Sequence, residues 1–103
     1  MSSESYREGD AGQALDYRYT DENGDDVSLT GQTVQVIFQA PSGALKTRSA
    51  VLQTGDIVAR YVIDAADFDE VGVWFREFRA TGVSFTDTTA PKAFYVGPRL
   101  SGD

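Results

Sequence analysis

The chain has no cysteine and no histidine. Without cysteine, no disulfide can staple the fold and thiol chemistry is excluded. Without histidine, the commonest general base and the commonest metal ligand are both missing. Carboxylates, hydroxyls and two lysines, Lys46 and Lys92, are what remains for catalysis. That inventory argues against an enzyme, and no cofactor is expected. No apolar run approaches the roughly 20 residues needed to cross a membrane as a helix. The opening Met1-Ser2-Ser3-Glu4-Ser5 has neither the basic nor the apolar stretch of a signal peptide. A soluble protein made in the cytoplasm without export, and with no membrane partner, is the expectation.

Positive charge is also scarce. Sixteen acids, eleven Asp and five Glu, stand against seven Arg and two Lys, for a formal net charge of -7. A phosphate backbone would meet a repulsive field, so no nucleic-acid partner is expected. An Asp-rich, Lys-poor surface resembles proteins of a high-salt cytoplasm, where about 1 M salt shortens the Debye length to about 3 Å. An ordinary acidic surface that favours solubility has the same composition.

What is present is a punctuated alternation. Leu15, Tyr17 and Tyr19 alternate with polar residues over 13–20, and the acidic turn Asp21-Glu22-Asn23-Gly24-Asp25-Asp26 follows. In the next segment, 32–40, Val34, Val36, Phe38 and Ala40 share one face, while Thr33, Gln35 and Gln39 share the other. This period of two marks a half-buried antiparallel strand. Pro41-Ser42-Gly43-Ala44 reads as a hairpin turn, with Pro presetting φ. Residues 45–53 are polar enough for an edge strand, on which Lys46 and Arg48 discourage unwanted pairing. Residues 57–63 are apolar on both alternating sets except at Arg60, as in a central strand or one whose outer face is covered. Asp64-Ala65-Ala66-Asp67-Phe68 fits one helical turn with Asp64 as its N-cap, placing Phe68 as a plug at the sandwich end. Gly72 opens the strongest strand, 73–80, with Trp74, Phe78 and Ala80 on one face beside Arg76. Val73, Phe75, Glu77 and Arg79 lie on the other. Thr81-Gly82 is a hairpin candidate leading to a strand over 83–86. Asp87-Thr88-Thr89-Ala90-Pro91 reads as a loop, and residues 92–96 close the pattern.

About seven short strands with frequent turn signals predict an all-β fold, a single immunoglobulin-like antiparallel β-sandwich over residues 13–98. Residues 1–12 lack periodicity and read as a flexible N-terminal arm, disordered alone or ordered by a partner, and 99–103 as a C-terminal tail. The expected core is Leu15, Tyr17, Val34, Val36, Phe38, Tyr61, Trp74, Phe78, Phe94 and Val96. Tyr6, alone in the arm, and Phe75, opposite Trp74, are candidate interface residues.

The stretch from Gly12 to Pro98 resembles the small immunoglobulin-like domain of tailed-phage structural proteins, in the form of the N-terminal domain of the baseplate upper protein family. The elements that carry the resemblance are Asp21-Glu22-Asn23-Gly24, Leu29-Thr30-Gly31, Pro41-Ser42-Gly43 and Gly55 ahead of Ile57. After these come Asp67, Gly72-Val73-Trp74, the Phe78 strand and Phe94-Tyr95-Val96. Trp74 stands where that family usually has Tyr. The resemblance implies a non-enzymatic virion component that binds other virion proteins or copies of itself. Members of that family are often the first module of a longer chain, whereas this one ends at Asp103, so the expectation is a cap, adaptor or decoration. A tail or baseplate place, in a virus of a halophilic archaeon, is favoured over capsid decoration or a head–tail neck. A different class of function is a soluble carbohydrate-binding module with Trp74, Tyr95 or Phe75 as a stacking platform. Burial of Trp74 is the discriminating observation.

Two acidic constellations have competing readings. Asp21-x-Asn23-x-Asp25 has the first three spacings of a calcium loop, but Asp26 and Gln32 occupy the sixth and twelfth positions where Gly and Glu are needed. It reads as an Asx-type turn. Asp64, Asp67, Asp69 and Glu70 place four carboxylates within seven residues. A glycosidase pair must face across a cleft, so these read as a solvated acidic loop.

Overall fold

Residues i and i+2 of a strand share a face, so an apolar stripe can leave water only against another stripe. The chain meets this requirement with two stacked sheets. The computed structural model describes residues 5–83 and 85–98. Nine strands occur among the described residues: β1 (Ser5–Arg7), β2 (Ala14–Tyr17), β3 (Thr33–Gln39), β4 (Leu45–Ser49), β5 (Val51–Leu52), β6 (Ala59–Val62), β7 (Gly72–Thr81), β8 (Thr86–Thr88) and β9 (Lys92–Gly97). One sheet runs β1-β9-β7-β3-β4, with β8 also paired to β7, and the other runs β2-β6-β5. Every pairing is antiparallel except β1 with β9. The layout is that of an immunoglobulin-like sandwich, three consecutive neighbours β9-β7-β3 facing β2-β6-β5.

The core lies between the sheets and consists of the predicted faces. Leu15, Tyr17, Val34, Val36, Phe38, Trp74, Phe78, Phe94 and Val96 are buried, and Tyr61 is half-buried against them. Leu29, Ala40, Ala59, Ile63, Phe68 and Ala80 join them. Phe68 plugs one end, its ring 5.4 Å from Phe38, 5.5 Å from Trp74 and 5.2 Å from Phe94. It does so from a hydrogen-bonded turn rather than a helix: the Asp67 N–H donates to the Asp64 carbonyl and the Ala66 N–H to the Asp64 carboxylate.

Gly72 carries a local constraint. Its φ is +140°, and a Cβ there would lie 2.8 Å from Cγ of Pro41. Glu70 fastens the same turn by accepting from the N–H and hydroxyl of Ser42, at 3.2 and 2.8 Å. The Trp74 indole N–H, buried with its ring, donates to the Glu70 carbonyl at 3.0 Å. The Pro41 and Gly72 motifs, thirty-one residues apart, are therefore one packing unit.

Three sequence expectations are corrected. The arm assigned to 1–12 contains strand β1, whose Tyr6 is half-buried against Phe68 (5.0 Å) and Phe94 (5.6 Å). Tyr6 thus packs on the core of its own domain, and residues 1–4 and 99–103 lie outside the described residues. The strand expected over 45–53 is two strands in different sheets. Ala50 is the crossing point, its N–H held by the Val34 carbonyl at 2.9 Å. The strand expected over 83–86 falls at Thr86–Thr88, so Asp87 and Thr88 are strand and not loop, while Ser84 lies outside the described residues. Residues 59–62 are central in their sheet as expected, but Arg60 and Val62 on its outer side face solvent.

Denaturant melts will rank the aromatic residues. Trp74→Ala is expected to cost about 3–5 kcal/mol and Tyr6→Ala about 1–3 kcal/mol. An unchanged midpoint for Trp74→Ala refutes its place in the core.

Candidate functional site

The acidic loop after β6, expected to be solvated throughout, is not solvated at its central carboxylate. Asp64 and Asp69 are exposed, but Asp67 is fully buried. Its carboxylate accepts from Arg48 Nε at 2.8 Å, from the Asp64 N–H at 2.9 Å and from the Tyr61 hydroxyl. A buried carboxylate is tolerated only when its lone pairs are filled in this way. Arg48 lies on β4 of one sheet and Tyr61 on β6 of the other, so Asp67 ties the layers together. Lys46 adds to the closure. Its ammonium donates to the carbonyls of Ala66 and Asp67 at 2.9 and 2.8 Å and lies 5.6 Å from the Trp74 ring centre. Lys46 and Arg48 stand opposite Phe38 and Val36 in the ladder, so both point to the inner side of their edge strand.

Burial alone pushes the Asp67 carboxyl up. The bonds from Tyr61, Asp64 and Arg48 outweigh it and hold the group below the ordinary 3.8. Tyr61 moves the other way: burial, then the bond to Asp67 and its negative charge, push its hydroxyl up to about 12. A second carboxylate–phenol tie joins the layers where the Tyr17 hydroxyl on β2 donates to Asp87 on β8. Burial, then that carboxylate, raises Tyr17 as well.

The Asp21 loop is an Asx-type turn. Asp21 Oδ1 accepts from the N–H groups of Asn23 and Asp25 at 2.9 and 3.0 Å, and Gly24 takes φ +83°. Its oxygen already serves the backbone, and among the described residues no group of three or more acidic side chains is arranged to hold a metal ion.

The remaining candidate is the outer face of the larger sheet. Strand parity turns Phe75 away from Trp74, and among the described residues no layer covers that side. Phe75 is 42% exposed, Val73 52%, Tyr95 47% and Leu45 67%. In the ladder Val73 lies beside Tyr95 and Phe75 beside Ala93 on one flank, while Phe75 meets Gln39 and Gln39 meets Leu45 on the other. A shallow groove of about 420 Å³ crosses this face between Ile37, Leu45, Phe75 and Pro91, with Glu77 and Arg79 at its side. Its lining is apolar with a charged rim.

Of the two predicted interface residues, only Phe75 is on this face; Tyr6 is not. Trp74 and Phe78 are core, and Tyr61 serves Asp67. Sequence reasoning missed Ile37 and Leu45. Ile37 had a visible signal, because it is the one apolar residue on the polar side of its strand, between Gln35 and Gln39. Leu45 had none, since its partners become adjacent only through β3. No protein-family model matches the chain, and no curated protein matches it.

The Asp67 cluster makes stability depend on pH at both ends. The lowered Asp67 value adds stability above 3.8 that is lost as pH falls through the folded value. The raised Tyr61 value adds stability below 10.0 that is lost as pH rises toward about 12. Asp67→Asn is expected to lower stability at neutral pH by about 1–3 kcal/mol and to flatten the acid limb. Tyr61→Phe should shrink the alkaline limb and leave the part due to Tyr17. Acid limbs that superimpose for wild type and Asp67→Asn exclude the assignment. For the Asp21 turn, calorimetric titration should find no saturable calcium binding tighter than about millimolar. A micromolar isotherm abolished by Asp21→Ala reverses that reading.

Proposed function

We propose that this chain is a structural component of a tailed virus particle, an adaptor or accessory part of the tail or baseplate, which acts by contact and not by catalysis. The observation that carries the contact reading is the outer sheet face. An apolar groove stands open there, while the acidic residues that suggested chemistry are occupied in holding the sandwich together. The viral part of the proposal rests on the pattern from Asp21-Glu22-Asn23-Gly24 to Phe94-Tyr95-Val96 and its resemblance to baseplate upper protein domains. The immunoglobulin-like sandwich is compatible with that resemblance. The partners are other virion proteins or further copies of the chain. An Asp-rich, Lys-poor surface supports a host with a high-salt cytoplasm.

The alternative stacking platform for carbohydrate loses Trp74, which is buried. Phe75 and Tyr95 remain open on one face, two residues out of register across β7 and β9. They keep that alternative testable.

The test is quantitative mass spectrometry of purified particles carrying wild type or Phe75→Glu. Wild type should co-purify with particles. The variant should melt within a few degrees of wild type, because its side chain is on the outer face, yet be depleted about tenfold in particles, a contact loss near 1.4 kcal/mol. Equal incorporation removes the groove as the contact. Absence of the wild-type chain from particles removes the viral reading. Glycan binding that Phe75→Glu abolishes selects the carbohydrate module.

A further inference from the structure

We infer that the β9 edge is an exchange site, at which the β1 segment of a second copy replaces the chain's own. In this form Ser5–Arg7 of one copy pairs with Tyr95–Gly97 of another, and its Tyr6 enters the seat between Phe68 and Phe94. The inference is independent of the viral reading and of the outer groove.

The occupant is identified by what the seat already holds. β1 is three residues long, lies at the end of its sheet and, among the described residues, pairs with one strand, in parallel. Such a segment opens locally at low free-energy cost. The seat nevertheless selects for this sequence. Tyr6 is 5.0 Å from Phe68 and edge-on to Phe94 at 5.6 Å. Arg7 Nη1 donates to the Pro98 carbonyl at 2.9 Å, and the Glu8 N–H to the Gly97 carbonyl at 3.0 Å. A partner copy presents the same side chains and remakes the same bonds.

The hinge is equally definite. The chain folds back after β1 through a turn in which the Asp10 N–H donates to the Arg7 carbonyl and Asp10 Oδ2 accepts from the Arg7 N–H. Gly9 and Gly12 take φ of +79° and +92°. Beyond the turn the chain is anchored to β6's end, Gly12 N–H to the Ile63 carbonyl and Ile63 N–H to the Gln13 carbonyl, both at 2.8 Å. Straightening 8–11 releases the turn and the bond from the Gly9 N–H to the Phe68 carbonyl at 3.2 Å, and four extended residues reach about 14 Å. Reciprocal exchange then differs from the closed form by the hinge and by the entropy of association. A short tether gives β1 an effective concentration of about millimolar at its own seat. Exchange therefore competes when neighbouring copies reach a similar local concentration, as they do in an assembly.

The absence of native cysteine allows a direct test. Ser5 and Tyr95 are register partners and both are exposed. Chains bearing only Ser5→Cys are mixed with chains bearing only Tyr95→Cys, equilibrated over a concentration series to about 1 mM and mildly oxidised. The 5–95 linked heterodimer should rise with concentration and exceed about tenfold the yield from Ser5→Cys with Thr47→Cys, whose site lies on the far edge strand. A second variant lacks 9–11, which removes the turn. It should elute as a dimer at micromolar concentration with an intact β-sheet spectrum. A heterodimer yield no greater than the control near 1 mM, or a folded monomer from the deletion, overturns the inference.

Discussion

One buried carboxylate holds the two layers of this sandwich in relation to each other. Asp67 has no access to water, and its oxygens are filled from three directions: a backbone N–H of its own turn, a guanidinium from one sheet and a phenol from the other. Because an unpaired buried charge is so unfavourable, the β6–β7 connection has one acceptable position, the one that brings Arg48 and Tyr61 within reach. Phe68 follows Asp67 in sequence and is thereby set into the end of the core. Seven acidic residues beyond the number of basic ones make the chain self-repelling, yet here an acidic residue organises the fold.

The same arrangement solves the problem of an open edge. β4 would be a poorly closed flank, since its core-side positions are Lys46 and Arg48 and not apolar residues. Their stems cover the inner side while their charged ends meet the carbonyls and carboxylates of the Asp64–Asp69 loop. Inward-pointing charge on an edge strand is also a barrier to continuous sheet extension. At the opposite edge, β1 covers β9 with one aromatic anchor. The two edges are therefore unequal: one is closed by charge, the other by a short replaceable strand. The outer face between them, with Phe75 at its middle, is left open by the described residues. The contact part of the proposed function rests on that open face.

Much of this was legible in the linear chain. Alternation located Val34, Val36 and Phe38 on one face and separated Trp74 from Phe75, because side chains on a strand reverse direction at each residue whatever the strand pairs with. Absent cysteine and histidine bounded the chemistry for a similarly local reason, since residue type needs no fold to be read. Turn residues marked the connections at Asn23-Gly24 and Pro41-Ser42-Gly43 because positive or fixed φ is a property of the residue itself. What tertiary structure alone decided was which stripe each stripe met. Asp67 looks like Asp64 and Asp69 in sequence, and only the approach of Arg48 and Tyr61 from two sheets makes it the buried one. Ser5–Arg7 is too short to show a period, so its strand exists only because β9 offers an edge and Phe68 and Phe94 offer a seat for Tyr6. Ala50 divides a continuous run into strands of two sheets for the same reason: pairing partners lie far away in sequence, and their geometry is settled by packing.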